Sequence, residues 1–340
     1  MTRKGTAMTA PQPVGRMHDL LLRLAGHAAD DVVAGARDQL AEGSMDVAAA
    51  VLASAGVPLT AADRALLAAV NPRIDDPGPG LPQRDWEFAP AVPVAGAPAL
   101  VALDLTGDDG LLDDVDAAAA RTAAAQPGTV ALWRAWRAPD DLNPDPARVF
   151  LLATSAAPVD RPSRTAQLHA ALRAAGVADP QVEVFGPDTE LSWYHRKARG
   201  RSALLWAAAK GAPVTIAREF DSVHPLTGPA FDPDHPALSA GDEASRVLDF
   251  LESGDVLLAT TAREHDIFDS SLGEVVGQTF RTDGAWIWTD TVAYYLRTYA
   301  LSPDPELLAH IRRTGYRRAG VDPVARHRAL VELFRPVPAA

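Results

Sequence analysis

Proline placement constrains this chain more than any other feature. Of its 28 prolines, one run holds Pro72, Pro77, Pro79, Pro82, Pro90, Pro93 and Pro98, and a second holds Pro225, Pro229, Pro233 and Pro236. Gly78, Gly80, Gly228 and Gly241 fall in the same stretches. Proline fixes φ, lacks an N–H and pushes the preceding residue towards extended backbone, so neither a regular helix nor a central strand runs through either stretch. The 340 residues are thereby cut into three parts. At about 100–200 residues per domain, that fits two domains and a helical appendage. The expected organisation is a disordered leader over 1–15, a helical segment over 16–70, a Pro/Gly-rich linker over 71–98, an α/β domain over 99–220, a Pro-rich linker over 221–241 and a C-terminal α+β domain over 242–335.

Periodicity and capping residues place the elements. Met17, Leu20, Leu21, Leu22 and Leu24 form one apolar helix stopped by Gly26. Helices from Asp30 to Leu40 and from Met45 to Ala55 end at Gly43 and Gly56, and Thr60 with Asp63 gives a capping-box-like start to a fourth. The middle part predicts strands at 99–105, 129–136, 148–154, 181–185 and 213–217, with helices at 111–125, 164–175 and 191–210. The last part predicts helices at 243–252, 289–299, 305–313 and 323–334 and strands at 256–261, 274–282 and 286–288, with Asp283-Gly284 as a tight turn. The fold class is α+β (mixed α/β): N-terminal short helices, a helix-packed sheet and a second, smaller α+β domain.

Composition narrows the chemistry. There is no cysteine, which excludes a disulfide framework, a thiolate nucleophile and Cys-type metal sites within this sequence. The net charge of −12 argues against general nucleic-acid binding. The start lacks the apolar core of a signal peptide, and no apolar run reaches the roughly 18 residues of a membrane helix. A cytoplasmic location is the expectation. No glycine-rich dinucleotide turn, phosphate-loop lysine, G-x-S-x-G or H-E-x-x-H is present.

Four constellations remain. His195, Arg196, Lys197, Arg199 and Arg201 crowd cationic groups behind Trp193 and Tyr194, a patch suited to phosphate, a carboxylate or an acidic partner, or else a solvated helix face. Trp286, Trp288, Tyr294, Tyr295 and Tyr299 form either a core or a recognition surface, with Trp286, Trp288 and Tyr295 as its candidates for contact. Asp221, His224, Asp232, Asp234 and His235 offer ligand-type side chains, yet the prolines after both imidazoles favour a solvated loop, so no metal is expected there. Glu264, His265, Asp266 and Asp269 place His beside Asp as metal-dependent phosphohydrolases do, but the rest of such a set is missing. No cofactor is expected.

Alanine, proline, arginine and aspartate are abundant and lysine is scarce, as in proteins from GC-rich bacterial genomes. The segments Leu20-Leu21-Leu22-Arg23-Leu24-Ala25-Gly26, Ala198–Ala207 and Thr282–Trp288 resemble a group of actinobacterial proteins with no assigned activity. The likeness implies no catalytic residues. The functional expectation is a cytoplasmic protein-interaction module with a protein partner, one version being an accessory or immunity-like protein of a bacterial toxin or competition system. The alternative is a motif-poor enzyme or ligand-sensing regulator acting on a small anionic molecule. A deep pocket lined by the basic patch and by His or carboxylate groups would favour the alternative.

Overall fold

Helix α1 (Pro13–Leu24) opens on proline, whose fixed φ suits a first helical position, and buries Met17, Leu20, Leu21 and Leu24. In this computed structural model, residues 13–71, 84–92, 100–107 and 109–335 are described. Helices α2 (Asp30–Ala41), α3 (Met45–Ser54) and α4 (Ala61–Val70) follow, and their apolar faces form one cluster with α1. At α4 the capping box forms as expected: Asp63 N–H donates to the Thr60 hydroxyl, and the Asp63 carboxylate accepts from Thr60 N–H. Gly26 adopts φ +74°, and a Cβ there would lie 2.6 Å from the Tyr194 ring and 2.7 Å from the Trp86 indole nitrogen. Only glycine meets both conditions.

The chain divides into two units, residues 1–210 and 211–340. In the first, the helices share one unit with a sheet built from β1 (Phe88–Ala89), β2 (Leu103–Asp104), β3 (Thr129–Arg137), β4 (Ala147–Thr154), β5 (Gln181–Phe185) and β6 (Ala203–Ala207). The order is β2-β6-β3-β4-β5, with β1 also on β3. β3 runs antiparallel to β4 and β6, whereas β4–β5 and β2–β6 are parallel. Helices α5 (Asp114–Ala125) and α6 (Arg161–Ala174) cover one face, burying Leu132, Phe150, Leu152, Val182 and Val184. Strand alternation sends Arg137 and Glu183 to the opposite face, towards α2 and α7 (Trp193–Gly200). The single helix expected over 191–210 is α7 followed by a strand. Ala203, Leu204 and Leu205 sit in a strand flanked on both sides, where an unbroken apolar run is required, and such a run looks the same in a buried helix.

The boundary lies between Lys210 and Gly211, upstream of the expected 221–241 linker. The second unit pairs β10 (Asp255–Leu258), β13 (Phe280–Thr282), β14 (Trp286–Thr289) and β7 (Thr215–Ile216) in that order. The expected linker carries a hairpin, β8 (Ser222–His224) with β9 (Gly228–Ala230). The single strand expected over 274–282 is two, because β12 (Glu274–Gly277) pairs with β11 (Arg263–His265) and only β13 joins the main sheet. Helices α8 (Asp242–Glu252), α9 (Asp290–Tyr299) and α10 (Pro305–Arg313) pack on the Trp286 and Trp288 side, and α11 (Pro323–Leu333) packs with Ile287. The Asp283-Gly284 turn forms with Gly284 at φ +93°, and the Asp283 carboxylate accepts from Ala285 and Trp286 N–H.

Part of the expected 71–98 linker is structured: Trp86 packs on Gly26, and β1 joins the sheet. Residues 72–83 and 93–98 of that stretch lie outside the described residues. So do residues 1–12 of the expected leader, whereas residues 13–15 already belong to α1.

Candidate active site at the start of helix α7

Glu183 is the one acid in the apolar strand β5, and it is 0% exposed. Arg37 on α2 donates to its Oε2 at 2.6 Å, and His195 Nε2 lies 3.1 Å from the same oxygen. Burial alone would push this carboxyl up, but the charge and hydrogen bond of Arg37 and the hydrogen bond from His195 outweigh it and hold it below the usual carboxylate range. An ionised carboxylate only accepts, so Nε2 of His195 carries a proton. In the neutral ring Nδ1 is then an acceptor, and the Ser192 hydroxyl lies 2.8 Å from it. Ser192, His195, Glu183 and Arg37 thus form one hydrogen-bonded line from the protein interior to the start of α7.

Ser192 occupies the cap position of α7, yet its side chain makes no capping bond because it turns to His195. The first-turn N–H groups have no acceptor within the helix and carry its positive end. Beside the start of α7 lies a cavity of about 440 Å³, lined by Asp19, Leu22 and Arg23 from α1 and by Asp188–Ser192, His195 and Arg196. Its size suits a small molecule. Arg161 holds the wall by pairing with Asp188 and donating to the Thr189 hydroxyl at 3.0 Å. A Cβ at Gly186 would collide with that guanidinium, so the close approach requires glycine. Asp19 Oδ1 is buried without a hydrogen-bond partner. Burial pushes the Asp19 carboxyl up, against the pull of Arg161 and Arg23, with Asp188 adding to the push.

Behind the site, Tyr194 packs edge-on against Trp86, Phe88 and the His195 ring, which fixes the orientation of α7. Arg137, bound to Asp30 at 2.6 and 3.0 Å, reaches the Tyr194 hydroxyl at 3.4 Å.

The expected basic patch is not one surface. His195 is 1% exposed and faces Glu183. Arg196 is exposed at the cavity and donates to the Leu191 carbonyl. Lys197 turns away to Asp85. Arg199 is half-buried, with its carbonyl accepting from Ser202, and Arg201 is exposed past the helix end. Sequential cations on a helix point around its axis, so adjacency in sequence did not make a patch.

Trp286, Trp288 and Tyr295 are 8%, 1% and 2% exposed, so their burial corrects the recognition-surface option in favour of core. Trp288 donates its indole N–H to the Leu251 carbonyl at 3.0 Å, and the Tyr295 hydroxyl accepts from Ile267 N–H. On the Pro-rich stretch, Asp221 bonds His235 and Asp232 N–H, while His224 is exposed on β8. Asp266 is a structural hub: it accepts from the Tyr294 and Tyr299 hydroxyls and from Phe268 and Asp269 N–H. Among the described residues, no three His, Cys, Asp or Glu side chains converge as a metal ion would need.

Sequence reasoning missed Ser192, Glu183, Arg37 and Asp19. Two signals were available: a lone charge inside an apolar strand, and serine three residues before histidine at a helix start. No family model, curated protein or solved structure matches the chain.

Proposed function

We propose that the first unit binds a small molecule carrying an anionic group, in the cavity at the start of α7. The observation that carries this reading is the ligand-sized cavity lined by His195 and Arg196 together with the carboxyl of Asp19. Arg196 suits an anionic end, Arg23 on the same wall is already paired with Asp63, and Asp19 Oδ1 suits a hydrogen-bond donor on the same ligand. This is the enzyme or sensor alternative of the sequence reading. The test is thermal unfolding with a panel of carboxylates and phosphate monoesters. A bound compound at 100 times its Kd stabilises by about 2.7 kcal/mol. At least one compound should raise the melting temperature, and Arg196→Ala should shrink that rise without moving the ligand-free value. A panel that leaves the wild-type protein unmoved, or a rise that Arg196→Ala does not change, defeats the reading.

A second reading, docking to a protein, retains one specific support. Trp193 is 56% exposed and adjoins the cation-bearing turns of α7, and such a side chain is favoured at binding hot spots. An accessory or immunity-like role would need that surface. Co-purification from the native host should then lose a partner in Trp193→Ala while the melting temperature holds. A partner retained by that variant argues against it.

A further inference from the structure

We infer that Ser192 is a nucleophile and that the first unit cleaves a carboxylic ester by acyl transfer, His195 acting as its base. This rests on the ligand reading above and names the chemistry of that site. The Ser192 hydroxyl lies 2.8 Å from Nδ1 of His195, where the neutral ring accepts its proton, and the opposite ring nitrogen is held on a fully buried carboxylate that Arg37 fixes at 2.6 Å. This is the relation a serine nucleophile needs: a base on its proton, and an acid that sets the tautomer of the base and stabilises the imidazolium. The hydroxyl sits at the cavity wall and is not spent on capping the helix.

The steps balance. Ser192 Oγ attacks the ester carbonyl carbon while its proton passes to His195 Nδ1, giving a tetrahedral oxyanion and an imidazolium paired with Glu183. Arg196, which lines the same cavity, supplies positive charge for the oxyanion. As the carbonyl re-forms, the C–O bond to the alcohol breaks, and the alcohol leaves with the proton from His195. Water, deprotonated by His195 Nδ1, attacks the acyl-serine. The Ser192 oxygen leaves with that proton, so the acid is released and the enzyme restored. Ser192 and His195 are the catalytic residues, and Glu183 and Arg37 are positioning residues.

The test uses the full-length protein and a fluorophosphonate probe, with the adduct mapped by mass spectrometry. One adduct should form on Ser192, disappear in Ser192→Ala, and form about 10²-fold more slowly in His195→Gln. In Glu183→Gln, labelling should slow while the ligand-induced melting shift of the preceding test persists, an outcome that a merely structural role would not give. A second variant covers loss of folding. Because the chain has no cysteine, Ser192→Cys gives a single thiol. Iodoacetamide at pH 6 should alkylate it about tenfold faster than N-acetylcysteine, since a paired imidazole raises the thiolate fraction. No adduct on Ser192, labelling unchanged in His195→Gln, or a thiol no faster than N-acetylcysteine each overturns the nucleophile. A persisting ligand shift in that case leaves the binding reading standing, so the two fail separately.

Discussion

The two units bury different things. In the first, Arg37, Arg134, Arg137, Arg161, Asp116 and Glu183 are all buried, and His18, His169 and His195 join them. In the second the core is Phe250, Trp286, Trp288, Leu296, Leu307 and Ile311, and the ion pairs Arg281–Asp290, Arg312–Glu243 and Arg318–Asp255 stand at partly exposed side chains. Asp266 is its buried acid, neutralised in effect by four donors: burial alone would raise its pKa, and the hydrogen bonds from Tyr294, Phe268 N–H, Tyr299 and Asp269 N–H hold it down. Buried ion pairs add little net stability compared with apolar packing, because desolvation offsets most of the attraction. A fold that keeps so many therefore maintains a geometry: Arg37, Glu183 and Arg161 hold the surroundings of the start of α7, while Arg134 pairs with Asp116 of α5 on the other face of the sheet.

The contrast breaks or sharpens under substitution. The largest effects are a matched pair. Arg37→Met strands the Glu183 charge in the interior and should cost about 3–5 kcal/mol in the first unit. Trp288→Ala should cost about 3–5 kcal/mol in the second, through lost packing and the lost bond to Leu251. Hydrogen exchange read by mass spectrometry reports each unit by its own amides. Adding Glu183→Leu to Arg37→Met should recover most of the first loss, an option that no second substitution offers Trp288→Ala. If the double variant stays as unstable as the single, the ionic interior of the first unit is not what the pair costs.

Acid should act next. His18 is buried and held near pKa 4, chiefly by burial, against the bond from its Nε2 to the Val184 carbonyl at 2.7 Å. Its ordinary value is 6.5, so between pH 6.5 and about 4 the unfolded chain takes up a proton that the folded one refuses. Stability is complete above that window and falls as pH drops through it, by about 3 kcal/mol in total. Urea denaturation of the first unit against pH should show the slope, and His18→Gln, which can still donate to Val184, should flatten it. A slope unchanged in that variant assigns it to other groups.

Asp266→Asn should be smaller, about 1–3 kcal/mol in the second unit, because an amide has one acceptor oxygen and can serve either the two tyrosine hydroxyls that share Oδ2 or the Phe268 and Asp269 N–H groups that share Oδ1, but not both pairs. Protection of the Phe268 and Asp269 amides reads it. Smallest is Thr60→Ala at about 1 kcal/mol, the loss of the α4 cap, seen as earlier exchange at that helix alone.

Much of the fold was legible because its signals are local. The Thr60–Asp63 cap, the stops at Gly26, Gly43 and Gly56, and the Asp283-Gly284 turn each involve neighbours in sequence. The spacing of Trp286 and Trp288 also told that they share a face, and the contacts of Ile287 confirm the other. Misreadings arose where the answer depends on a distant partner. Ala203–Ala207 is a strand because β2 and β3 flank it, and Glu274–Thr282 splits because its halves have different neighbours. The candidate site was half visible for the same reason. His195 stood out as part of a charged run, but Arg37 lies 146 positions from Glu183, and nothing local links them.

Gly26 carries a consequence beyond its own turn. Its carbonyl accepts from the Trp86 indole at 3.1 Å, and the rings of Trp86 and Tyr194 occupy the space any side chain at position 26 would need. The three positions are therefore sterically coupled. A lineage cannot acquire alanine at 26 without first shrinking a ring at 86 or 194, and either change loosens the residue next to His195. Glycine, tryptophan and tyrosine at these spacings should persist or vanish together, which gives a three-letter mark for finding distant kin whose overall sequences have drifted past recognition.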